Sequence, residues 1–156
     1  MAIDRQARSD LRNALVGYMA GTIRTFAFDD QNSACRKSAD RSVQDVSREL
    51  YCIHDDFEDH PISVTSQGWE VLRRVVAFLG TDLEIRTPRH KPSWPFHDEE
   101  QWHAYEYLVN EIGVPDYDPA VHARPANRWW NRVPSSIGFL LLGGLTAAVI
   151  AALVLS

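Results

Sequence analysis

Apolar residues recur at helical spacing through most of the first 115 positions. Leu11, Ala14, Leu15, Tyr18 and Met19 share one face of a helix expected over about Asp4 to Ala20. Gly21 follows, a residue able to take the left-handed conformation that closes a helix. Thr25 is expected to cap a short second helix through about Ala34, carrying Phe26 and Phe28. Residues 32–41 show no apolar period and read as a loop. A third helix is predicted from about Ser42 to Asp55, because Val43, Val46, Leu50 and Ile53 step by three, four and three. Ile62 and Val64 read as a short extended piece, and Thr65 or Ser66 as the cap of a fourth helix that Gly80 ends. That helix buries Trp69, Leu72, Val75, Val76 and Leu79. Ala77 and Phe78 widen its apolar surface, which marks it as the centre of the core. Pro88, Pro92 and Pro95 exclude a helix between Thr81 and Pro95. Asp98, Glu99 and Glu100 open a fifth helix, where negative charge meets the dipole favourably. Trp102, Tyr105, Val109 and Ile112 form its face, and Gly113 with Pro115 ends it.

The pattern changes character near the end. From Ile137 to Leu155 there are 19 positions without a charge, and Thr146 is the one polar side chain among them. As a helix the run would be about 28 Å long, close to the hydrocarbon thickness of a bilayer. It is expected to be a transmembrane helix. Arg128, Trp129, Trp130 and Arg132 precede it, as interfacial indoles and a basic cytoplasmic flank would. Within it Gly144, Ala148 and Ala152 are spaced by four, as are Gly143, Ala147 and Ala151, a spacing that lets membrane helices approach closely and form a homo-oligomer. The expected organisation is a helical body over 1–115, a linker containing Pro, Arg and Trp over 116–134, and an anchor over 135–156.

Charge sharpens this division. All 21 acidic residues lie at or before Asp118, with 13 of the 16 basic ones, so that part carries −8. The remaining Arg124, Arg128 and Arg132 all precede the apolar run. A strongly acidic body repels phosphate backbones, which argues against nucleic acid as a partner. Cys35 and Cys52 are too few for a disulfide scaffold and read as reduced thiols. Met1 to Asp10 has no apolar segment of the export-signal kind. With the basic flank, this predicts a cytoplasmic body and a single span in the cell (inner) membrane.

Several of these residues resemble a known group. Tyr18-x-x-Gly21-x-Ile23, then Phe26-x-Phe28-Asp29-Asp30, then His54, Asp55 and Asp56 with His60, and Trp69 with the run from Arg74 to Leu79 are similar to small uncharacterised bacterial helical proteins. Those proteins often end in a membrane helix. The likeness covers roughly residues 11 to 80. It implies a bacterial origin and an all-helical body, and it carries no activity with it.

The sharpest polar cluster is His54, Asp55, Asp56, Glu58, Asp59 and His60 around Phe57. Imidazole and carboxylate together suit zinc, manganese or iron. The ligands are nearly consecutive, however, and no His-Glu-x-x-His pattern sets two of them on one helix face, so a solvated turn accounts for them equally well. A second cluster gathers Trp94, Phe96, His97, Trp102, His103, Tyr105 and Tyr107. It is either a ligand or partner-binding patch or a set of aromatic staples holding the proline-rich excursion to the core. His103 has no visible nucleophile or acid partner.

The sequence therefore predicts a mainly α fold: a compact bundle of about five helices and one C-terminal transmembrane helix. The expected function is a tail-anchored, single-pass membrane protein whose acidic body binds another protein, with no cofactor. The alternative is a small membrane-tethered metal-dependent enzyme using the turn from His54 to His60. A third reading is a membrane-acting effector that permeabilises the bilayer through its anchor.

Overall fold

The structure is a computed structural model that describes residues 2–53 and 58–123. The chain divides into Met1–Ala123 and Arg124–Ser156. The first unit is mainly helical, and no strand occurs among the described residues.

α1 (Arg5–Met19) begins at Asp4, whose carboxylate accepts the Ala7 amide at 3.0 Å. It buries Leu11, Ala14, Leu15, Tyr18 and Met19, the face that the spacing predicts. Gly21 follows with φ +71°, the left-handed residue expected there. α2 (Thr25–Cys35) packs across α1. Tyr18 stacks on Phe28 with centroids 4.7 Å apart. α3 (Arg41–Leu50) is capped by Asp40 and runs into a single 3-10 turn over Tyr51–Ile53. α4 (Ser66–Leu79) is the central helix: Thr65 caps it, and Trp69, Leu72 and the run from Val75 to Leu79 are buried. α5 (Glu99–Tyr105), α6 (Tyr107–Ile112) and the short α7 (Pro119–His122) complete the unit.

Several boundaries differ from expectation, each for a physical reason. Thr25 is the first helical residue of α2 rather than its cap. Its hydroxyl donates to the His60 carbonyl at 2.8 Å, and Arg24 supplies the cap position without a side-chain bond. Residues 32–35, expected as loop, are helical because Asn32 is locked to α3. Its amide donates to the Ser47 carbonyl at 3.1 Å, and the Ser47 hydroxyl lies 2.6 Å from its Oδ1. A buried tertiary contact overrides the weak helical preference of this stretch. α3 stops at Leu50, short of Asp55, and Ile53 is only partly buried. Gly80 does end α4, but at φ −80° rather than left-handed. The expected fifth helix is two, broken at Glu106.

The proline-rich excursion is bound to the body by its aromatics. Phe96 is fully buried, edge-on to Phe78 at 5.7 Å and tilted against Trp102 at 5.5 Å. Arg74 on α4 grips both ends: it donates to the Pro92 carbonyl, pairs with Glu99 at 2.8 Å and lies over the Trp102 ring.

Residues 116–123, expected to begin the linker, pack onto the body instead. Trp69 donates its indole N–H to the Pro115 carbonyl at 3.1 Å and stacks on the buried His122 ring at 4.2 Å. The Val64 amide donates to the His122 carbonyl at 2.9 Å. Among the described residues no helix is long and apolar enough to cross a membrane; the run from Ile137 to Leu155 lies outside them.

Candidate functional site

The polar centre of the body is Arg8, which shares the buried face of α1 with Leu11 and Leu15 and is 2 % exposed. Its guanidinium donates from Nε to Asp40 Oδ2 at 2.7 Å and from Nη1 to the Thr81 carbonyl at 2.6 Å, and it lies over the Phe78 ring. Asp40, also 2 % exposed, accepts the Ser42 amide at 2.9 Å and the Asp4 amide at 3.3 Å as well. Burial pushes the Asp40 carboxyl up, but the Arg8 hydrogen bond and charge, with those two amides, outweigh it and hold it below the usual carboxylate range. Ser42 in turn accepts the Ile85 amide at 3.0 Å. One ion pair thus ties α1, the start of α3, the end of α4 and the excursion together.

Arg8 is flanked on its own helix face by Arg5 and Arg12, which with Ser9, Gly80, Thr81 and Asp82 line a cleft of about 350 Å³. Arg5 pairs with Asp82 at 2.5 Å, and both side chains are largely exposed. The Arg5 hydrogen bond lowers the Asp82 carboxyl from its ordinary value. Arg12 is different. Its Nε is buried and has no hydrogen-bond partner among the described residues.

A second cleft, of about 570 Å³, lies between α1 and α2 and is lined by Asp4, Asp10, Gln31, Cys35 and Ser38 among others. Burial, then the charges of Asp10 and Asp4, push the Cys35 thiol up. It therefore stays protonated and is a weak nucleophile there.

The expected sites fall out unevenly. Asp59 accepts the Phe26 amide at 3.2 Å and lies 3.7 Å from the Arg24 guanidinium, and the His60 carbonyl holds Thr25. These two residues fasten the start of α2. Glu58 is exposed, while His54, Asp55 and Asp56 lie outside the described residues. Among the described residues no group of three or more His, Cys, Asp or Glu side chains is placed to hold a metal. Arg128, Trp129, Trp130, Arg132, Gly144, Ala148 and Ala152 also lie outside them. In the aromatic cluster, Trp94, Phe96 and Trp102 are buried and Tyr105 is partly so, as staples would be. His103 lies 3.4 Å from Glu106 on the surface.

Three features were missed. Arg8 continues the buried stripe of Leu11 and Leu15, so a charge on an apolar face was its signal. Asp40 stands directly before a helical period, the position of a capping residue. His122 closes a one-turn helix announced by Asp118 and Pro119, a cap followed by proline at the first helical position.

Comparison with known proteins finds no match: no family model, no curated protein and no solved structure matches this chain. The resemblance to small bacterial helical proteins therefore has no matched relative behind it.

Proposed function

We propose that the chain is a single-pass membrane protein in which an acidic helical body faces the cytoplasm and serves as a protein-interaction module. The observation that carries this reading is the uncharged run from Ile137 to Leu155, preceded by Trp129 and Trp130 between Arg128 and Arg132. The −8 balance at or before Asp118 supports a cytoplasmic, non-nucleic-acid role and favours partners with a basic face. The body offers exposed apolar side chains for contact, among them Phe26 at 48 % and Tyr107 at 53 % exposure.

The test is fractionation of the full chain. The protein is expected in the membrane fraction, resistant to alkaline extraction, with its body protected from protease in right-side-out vesicles until they are opened. Release by alkali would sink the span, and digestion in intact vesicles would sink the orientation. Removal of residues 135–156 should move the body to the soluble fraction.

A further inference from the structure

We infer that the cleft between α1 and the end of α4 is a binding site for a single phosphate group, read by Arg12. The inference is independent of the membrane reading. Arg5, Arg8 and Arg12 recur by three and four on one face of α1, so their guanidinium groups converge on one cleft. Each has a different commitment. Arg8 is used up by Asp40 and the Thr81 carbonyl. Arg5 is held by Asp82 in a pair whose side chains are 79 % and 50 % exposed, which a stronger anion can exchange. Arg12 has neither a hydrogen bond nor a carboxylate partner among the described residues, although its Nε is buried.

The buried Nε is closed to a ligand, so an oxyanion in the cleft would be held by the terminal Nη groups of Arg12, which have no acceptor among the described residues. The planar fork matches two oxygens of a phosphate. The cleft, at about 350 Å³, has room for a small phosphate monoester. Gly80 borders the Arg12 guanidinium. Its φ of −80° is open to any residue, yet a Cβ there would stand 3.5 Å from Arg12 Nη1 and 3.1 Å from the Ala77 carbonyl. The alternative role for Arg12 is to complement the negative end of the α4 dipole. That role predicts a loss of stability on substitution and no saturable response to phosphate.

The experiment titrates the full chain, in detergent, with inorganic phosphate at constant ionic strength balanced by chloride, and follows backbone amide NMR shifts. Saturable shifts at Gly80, Thr81 and Asp82 are expected, with a Kd in the millimolar range. Arg12→Met should weaken binding by about tenfold or more, and Arg12→Lys, which keeps the charge but not the fork, by an intermediate factor. The exposed Arg24→Met serves as control and should leave binding unchanged. If Arg12→Met unfolds, the Arg12→Lys titration decides. Shifts that fail to saturate, that chloride reproduces, or that persist undiminished in both Arg12 variants would overturn the assignment.

Discussion

Arg8 and Asp40 show how much one pair can carry and how it depends on both members. Asp40→Asn leaves a guanidinium buried against a neutral partner, and is expected to cost about 3–5 kcal/mol in chemical denaturation. Replacing both, as Arg8→Met with Asp40→Leu, should recover part of that loss, because no uncompensated charge then remains. It cannot recover all of it, since Thr81, Ser42 and Asp4 also lose partners. The pair has a pH signature. The folded-state pKa of Asp40 lies below its ordinary 3.8, so its contribution is fully present above that value. It is lost as pH falls from 3.8 through the lowered value. Acid unfolding should therefore flatten over this range in Asp40→Asn. At this scale the sequence was half legible. Leu11, Leu15, Leu72 and Val76 declared themselves by period. Arg8 and Asp40 did not, because composition treats a charge as surface and their burial exists only once three helices meet.

Among the elements, those with strong caps and apolar stripes were readable. α1 and α4 match expectation closely, because Asp4, Thr65 and Gly21 fix ends that an amphipathic face already implies. Residues 116–123 look like the start of a linker in the sequence because only one turn of them is helical. Their attachment rests on Trp69, Tyr117 and His122 meeting across the fold. A chain ending at Pro115 should thus be less stable than one ending at Ala123, by about 2–3 kcal/mol, since it loses buried ring contact and leaves the Val64 amide unpartnered. Thermal unfolding and hydrogen exchange at the Val64 amide would check this, with exchange faster in the shorter chain. Gly113, at φ +77°, closes α6 through its amide to the Asn110 carbonyl at 3.1 Å. Gly113→Ala should lower stability by about 1 kcal/mol in the same melts.

For the whole molecule, the helical class followed from the pattern, whereas the packing order did not. α2 meets α1 and α3, while α4 meets α1, α5 and α6, so α1 is the element shared by both groups. Local periodicity carries no information about such partners. The same sharing has a temporal consequence. Arg8 binds Asp40 across 32 positions and Thr81 across 73, and the bond to Thr81 spans more of the chain than the hub's bonds from Asp4 to Asp40 and from Ile85 to Ser42. Closing loops of that length costs chain entropy, so the hub is expected to consolidate after the local helices, late in folding. Weakening it should leave the refolding rate nearly unchanged and accelerate unfolding instead. Arg8 then acts as a latch on the lifetime of the native state, and stopped-flow rates for Asp40→Asn would reveal it in the unfolding arm alone.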